Sequence, residues 1–434
     1  MAPVPPVIVV PGITASSLRD EYPLPPETVW SVLTKDYARI SLHPDDTRYE
    51  VMEPARLRAD QLLEVAYREL VEELRYNLRP SEDQPVPVYP FAYDWRHPLD
   101  ALEVQLAAFV DEVIERTKLM RHYYAAGYAD DPKVVLVGHS MGGLIISGYL
   151  SQRRRKSRVA KVVTLATPFR GSFEAVIKLT TGTANLGTDT PSSREREAAR
   201  VTPALYDLLP SCGGLEVEEG LAGTDLFDPR LWQESILDTL EEYVRLYAVG
   251  RKNRSQQARE LFSALLSAAR SHRKRIEAFR LSHAGLKPDD WLCVVGVDAK
   301  TRVRLRVTRA RQGPQFEFNG EDRDNQWQTG LDDAARRATG DGTVPFEGAL
   351  PRFLALENLV CVTPDDYGYW EVQDRALTRV AGFHGILPNM NMVHRLIVRH
   401  LRGGSDTRGN TWGRPAPGVQ PEAWQPPLAL SLKT

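Results

Sequence analysis

Three residue types set far apart in this chain define the chemistry it offers: a serine bracketed by glycines, late histidines, and two aspartates between them. Ser140 lies in Gly138-His139-Ser140-Met141-Gly142. A serine hydroxyl is a weak nucleophile until an imidazole accepts its proton, and that imidazole needs a carboxylate to fix its tautomer. Gly138 and Gly142 allow a sharp strand-to-helix turn that lifts the hydroxyl to the top of a sheet. The backbone N–H of Met141, at the positive end of the following helix, would then face an oxyanion. A serine capping an ordinary helix is the plain alternative. The flanks favour the nucleophile. Val134 to Val137 form a short apolar run after Asp131-Pro132, and Leu144 to Leu150 are apolar at helical spacing.

In a doubly wound hydrolase the serine is followed by the acid and then the histidine. Of nine histidines, His384, His394 and His400 come late enough. His394 and His400 fall in a stretch of helical spacing and read as packed or solvated side chains. His384 sits in Gly382-Phe383-His384-Gly385, expected as a loop after the last strand, and is the expected base. Two aspartates compete for the acid. Asp298 follows the apolar run Val294 to Val297. Asp341 lies in Gly340-Asp341-Gly342-Thr343-Val344-Pro345, where an aspartate is also an ordinary turn residue. On residue types and spacing alone both stay open.

Such a site needs a scaffold, and the sequence predicts one. Residues 7–10, 134–137, 161–166, 292–297 and 359–362 read as short buried strands, and 85–93 as extended chain. Residues 60–78, 102–119 and 391–401 have helical spacing. The alternation argues for an α/β fold, a mostly parallel, doubly wound sheet. Residues 172–230 are polar with few regular periods, and 231–280 read as helices, including 259–279. The expected organisation is a core in two parts, 1–171 and 291–412. A largely helical cap or lid is inserted at 172–290, and a loosely held Pro-rich tail covers 413–434. Residues 301–308 alternate basic and apolar side chains, as in a half-exposed hairpin strand.

Bulk properties remove other classes. The 434 residues are 42% hydrophobic and 26% charged with a net charge of −2, so nothing favours nucleic acid. Cys212, Cys293 and Cys361 are too few for a disulfide framework and lack metal-ligand spacing; no metal and no cofactor is expected. Residues 1–6 carry no basic leader and no run approaches a membrane-spanning length, so a cytoplasmic protein is expected. Arg153-Arg154-Arg155-Lys156 reads as a cationic helix end. The stripe Leu261, Leu265, Ala268, Ala269, Ile276 suits either packing on the core or peripheral membrane contact through the cap.

Five motifs occur in one order: Pro6 to Gly12 (PVIVVPG), Tyr93-Asp94-Trp95-Arg96, the serine pentapeptide, Ala166-Thr167-Pro168, and Gly340 to Val344 (GDGTV). Together they resemble the lecithin:cholesterol acyltransferase and lysosomal phospholipase A2 family of α/β-hydrolases, over roughly residues 4 to 400. The resemblance implies Asp341 as the acid and His384 as the base. It implies that the backbone N–H of Ile13, after the Val-Pro-Gly turn, joins that of Met141 in the oxyanion hole. It implies an acyl-ester or lipid substrate cleaved through an acyl-enzyme, with transfer to an alcohol as the nearest variant. An amidase or peptidase on the same triad, and a binding protein that kept the fold, are the other readings. Gly12, Gly138, His139 and Gly142 are expected as structural residues beside the site. Asp94 and Arg96 are expected to pair and organise its rim, with Trp95 as a packing anchor. No counterpart to the signal peptide and disulfides of the family's secreted members is expected in this chain. Val29 to Leu33 is the one weak candidate for an interfacial segment.

Overall fold

The first strand, β1 (Val7–Val10), consists of four β-branched residues, none more than 1% exposed. A strand of that kind belongs in the interior of a parallel sheet, covered on both faces. In the computed structural model, residues 3–31, 33–52, 54–152, 157–182, 192–250, 252–311, 313–318, 332–369, 371–403, 406 and 409–433 are described. Pro11 and Gly12 end β1. The chain then forms a small antiparallel sheet from β2 (Ser16–Asp20), β3 (Glu27–Trp30) and β4 (Leu57–Leu62). Next come α1 (Glu64–Leu78), β5 (Val88–Pro90), α2 (Leu99–Lys118) and α3 (Arg121–Ala125). They lead to β6 (Val134–His139), α4 (Met141–Gln152) and β7 (Val159–Leu165). A long excursion holds α5 (Phe173–Thr181), α6 (Ser193–Arg200), α7 (Pro203–Asp207), β8 (Leu215–Val217), α8 (Ser235–Tyr247) and α9 (Arg254–Ala278). The chain returns through β9 (Trp291–Gly296), the hairpin β10 (Leu305–Ala310) and β11 (Gly313–Glu317), and α10 (Asp333–Arg337). It ends with β12 (Leu359–Val362), α11 (Val372–Ile386), α12 (Asn391–Arg402), β13 (Trp412–Gly413) and β14 (Ser431–Leu432).

The central sheet has six strands in the order β12-β9-β7-β6-β1-β5, and every pair is parallel. After β1 the chain moves to one edge, at β5, and then crosses back to β6 and works outward to the other. The helices after β1 and β6 therefore lie on opposite faces, which opens a crevice above the carboxyl ends of these two strands. Alternate side chains serve two cores. Ile8, Val10 and Leu136 pack with Leu102 and Leu106 of α2 and Leu144 and Ile145 of α4. Val7, Val9, Val135 and Val137 pack with Leu70 and Leu74 of α1 and Val393 and Leu396 of α12. The long helix α9 is tied to the core through buried Glu103. Its carboxylate contacts His272 Nε2 at 2.8 Å and accepts from Arg275 Nη1 at 2.8 Å and Gln152 Nε2 at 2.6 Å.

Several expectations change. Residues 60–62 are strand, not helix, because β4 pairs with β2 and brings Leu62 opposite Ser16. The polar stretch 172–230 contains three α-helices among its described residues, and its serines start two of them. The hydroxyl of Ser172 accepts from the Glu174 N–H at 3.1 Å, and that of Ser192 from the Glu195 N–H at 3.3 Å. The hairpin strand β10 pairs in parallel with β8, so a small sheet spans both sides of residue 290. Of the α9 stripe, Leu265, Ala269 and Ile276 are buried in the core, the packing alternative, while Ala268 is exposed. The Pro-rich tail is clamped, not loose. Cys361 N–H bonds to Arg414 O at 2.8 Å, Trp424 Nε1 to Leu359 O at 2.8 Å, and Lys433 Nζ to Asp366 Oδ1 at 3.0 Å. Arg153 to Lys156, and Val32 of the weak interfacial segment, lie outside the described residues. Among the described residues, no helix is long and apolar enough to cross a membrane.

Candidate active site

Ser140 occupies the single residue between β6 and α4, with φ of 53°. That left-handed conformation is costly for a residue with a side chain and persists only where the surroundings enforce it. Here the Ser140 N–H bonds to Leu165 O at 2.9 Å, and Ser140 O accepts from the Gly143 N–H at 3.0 Å. Gly142 lets α4 seat against β1, since a Cβ on it would stand 2.2 Å from Val10 O. Gly12 allows the same close approach from the turn after β1: a Cβ there would lie 3.0 Å from Ser140 Cβ and 3.4 Å from its Oγ. The turn after β1 is thus packed directly on the serine side chain.

His384 is delivered by α11, though not from a loop as expected. The helix breaks at Gly382 (φ 77°, ψ 157°), and the chain beyond the break carries the ring over the elbow. His384 Nε2 stands 2.9 Å from Ser140 Oγ, and His384 Nδ1 stands 2.7 Å from Asp341 Oδ2. The carboxylate only accepts, so the histidine proton belongs on Nδ1 and Nε2 is free to accept from the serine hydroxyl. The other oxygen of Asp341 accepts the N–H of Thr343 at 2.9 Å and of Val344 at 2.7 Å. Asp341 O also accepts the His384 N–H at 2.9 Å, which fixes the backbone of both residues together.

The competing aspartate is engaged elsewhere. Asp298 lies two residues beyond the end of β9 and is buried with φ of 65°. Its N–H bonds to Thr339 Oγ1 at 2.9 Å, and its carboxylate faces Arg336 Nε at 3.4 Å. Asp341 is the one that the described residues show hydrogen-bonded to His384.

Met141 N–H opens α4 and Ile13 N–H follows Gly12; neither finds an acceptor among the described residues. The turn carrying Ile13 is held from several directions. Tyr93 Oη donates to Pro11 O at 2.7 Å, Gly12 N–H to Tyr67 Oη at 2.9 Å, and Trp30 Nε1 to Thr14 O at 3.0 Å. Asp94 and Arg96 form a bidentate pair at 2.8 and 2.6 Å, and Arg96 continues to Ile40 O and Glu50 Oε1, each at 3.1 Å. Burial alone would raise the Asp94 pKa, but the Arg96 guanidinium holds it below the usual carboxylate range. Trp95 packs against Trp30 with ring centroids 4.9 Å apart and planes tilted by 58°, and its Nε1 donates to Ser16 O at 3.2 Å. Among the described residues, none of Asp94, Trp95 and Arg96 is hydrogen-bonded to Ser140, His384 or Asp341.

Sequence reasoning missed Tyr67, whose hydroxyl lies 2.6 Å from His139 Nδ1. Its signal was present: it occupies the apolar stripe of α1, where a buried phenol must find a polar partner. Burial also pushes the His139 pKa well below its ordinary value, so this imidazole is neutral.

A six-stranded parallel sheet in this order, with a strained serine between strand and helix at its switch point, is an α/β-hydrolase fold. Residues 65–235 match the family model described as lecithin:cholesterol acyltransferase, which bears out over that span the resemblance read from the motifs. Among solved structures, a chain of the crystal structure of the Tle4-Tli4 complex is similar with a TM-score of 0.55 at 14% identity, covering 92% of this chain and 99% of that one. Phospholipase PlaB from Legionella pneumophila matches with a TM-score of 0.24 at 13% identity, over 55% of this chain and 36% of that one. No curated protein sequence matches this chain.

Proposed function

We propose that this protein is a serine hydrolase of carboxylic esters, of the lipase or phospholipase kind. The reading is carried by one arrangement: a serine oxygen and a carboxylate oxygen at 2.9 and 2.7 Å from the two nitrogens of one imidazole. Ser140 attacks the acyl carbonyl while His384 Nε2 takes its proton. Asp341 holds the ring and favours the imidazolium that forms. The Ile13 and Met141 amides stabilise the oxyanion, and α4 adds the positive end of its dipole. His384 then returns the proton to the departing alcohol, leaving an acyl-enzyme. Water activated by the same nitrogen resolves it.

The match to an acyltransferase family supports a second reading, in which an alcohol replaces water in the last step. Only the second nucleophile differs. The same match favours a lipid acyl donor.

Labelling with a fluorophosphonate probe tests the nucleophile. The parent protein is expected to label and Ser140→Ala to be silent; equal labelling of both would end the proposal. Hydrolysis of short p-nitrophenyl esters against phospholipid vesicles then reports substrate class, with lipid preference appearing as a steep rise on vesicles. Adding a long-chain alcohol and measuring new ester against free fatty acid separates transfer from hydrolysis.

A further inference from the structure

A chain of hydrogen bonds runs behind the serine, outside the triad. Gly12 N–H donates to Tyr67 Oη at 2.9 Å, Tyr67 Oη lies 2.6 Å from His139 Nδ1, and His139 Nε2 lies 3.0 Å from His384 O. The two ends of this chain are chemically fixed. A backbone amide can only donate and a backbone carbonyl can only accept, so Gly12 donates to Tyr67 and His139 Nε2 donates to His384 O. Burial keeps the His139 ring neutral, so its single proton sits on Nε2 and Nδ1 is bare. Tyr67 therefore donates to His139 Nδ1.

We infer that Tyr67 and His139 are positioning residues that lock the oxyanion turn to the base: one end of their relay sets the Gly12 peptide, the other sets the His384 backbone. This rests on the reading of Ser140 as nucleophile given above. The Gly12 peptide directly precedes the Ile13 amide, so its orientation decides where that donor points. At the far end, His384 is fixed through its carbonyl by His139, through its N–H by Asp341 O at 2.9 Å, and through its ring by Asp341 and Ser140. The relay works only while His139 is neutral. A proton on Nδ1 would turn both nitrogens into donors and leave the Tyr67 hydroxyl hydrogen without an acceptor. Burial, together with the nearby His384 ring at 5.0 Å between centroids, keeps that proton off. None of these groups touches substrate, so their effect is on geometry, where small displacements of reacting groups are expensive.

The experiment has an activity arm and a spectroscopic arm. Tyr67→Phe keeps the ring and removes one oxygen. It is expected to lower kcat about tenfold or more with KM moving less than about twofold, and to slow fluorophosphonate labelling by the same factor. His139→Leu should do at least as much. His139→Gln, whose amide can accept from Tyr67 and donate to His384 O, should recover part of the loss. In the parent protein, ¹⁵N spectra of the His139 ring should show the proton on Nε2 and Nδ1 unprotonated. A kcat within twofold of the parent for Tyr67→Phe, a glutamine variant no better than leucine, or a His139 proton on Nδ1 would each overturn the inference. The tautomer is read without turnover, so it decides the relay even if a variant folds poorly. It also separates the two ideas: labelling that survives Ser140→Ala removes the nucleophile, whereas a wrong tautomer removes only the relay.

Discussion

Two turns at the carboxyl edge of the sheet each carry a buried aspartate, and they differ in what they face. Asp298 stands at the end of a core strand, the position where a hydrolase acid is commonly sought. Asp341 stands in a turn that returns to the same strand end, where Ala299 N–H bonds to Gly340 O at 2.9 Å. One carboxylate faces a guanidinium on α10, and the other takes an imidazole and two turn amides. Adjacent backbone therefore supplies two near-equivalent platforms. The long-range partner, residues away in sequence, decides which one holds the base.

The strongest way to break this comparison is to neutralise each aspartate. Asp341→Asn is expected to lower kcat on a soluble ester by about 10³–10⁴-fold, because the amide favours the wrong histidine tautomer. Asp298→Asn should stay within about tenfold of the parent while losing about 1–3 kcal/mol of stability from the altered contact with Arg336. A larger kinetic loss at Asp298 would reverse the assignment.

The comparison holds only where the fold is intact, and pH bounds that range. His394 and His400 of α12 are held down to about 4, chiefly by burial, with a Lys161 contribution at His400. Unfolded, these imidazoles titrate near 6.5. Below that value the unfolded chain binds protons that the folded chain refuses. Their contribution to stability is therefore complete above about pH 6.5. It falls by about 1.4 kcal/mol per pH unit for each histidine on descending toward 4, and levels off beyond. Urea unfolding at pH 7, 6 and 5 measures this; a stability that rises on acidification would contradict it.

The finest cut is Thr301→Val. The Thr301 hydroxyl accepts the Gly342 N–H at 2.8 Å and donates to Ala299 O at 2.8 Å, joining the two turns. Its loss is expected to cost about 1 kcal/mol and a few-fold in kcat, seen by thermal melting and ester turnover. Unchanged kinetics would mean that the Asp341 turn holds its shape alone.

How much of this the sequence revealed follows from the range of the interactions. The elbow is a local object: strand, strained residue and helix are contiguous, and their glycines declare the close approaches. His384 was legible from order along the chain. The choice between Asp298 and Asp341 was not, since each fits its own surroundings, and only the family resemblance pointed to one. Tyr67 was hidden because its partners lie 55 and 72 residues away. The strand at 57–62 was read partly as helix because its apolar residues continue into α1, and the pairing with β2 overrides that spacing. In the excursion, serines that start helices were read as signs of irregular chain.

The clamped C-terminal segment has a consequence for how this molecule behaves in company. β12 is an outermost strand of the sheet, and Cys361 and Arg414 exchange backbone hydrogen bonds at 2.8 and 3.2 Å along its outer side. An uncovered strand edge is a template on which another copy can add itself. The last twenty or so residues, unpromising as they look, act as a sheath, and trimming them to tidy the chain end would give a protein prone to stick to itself.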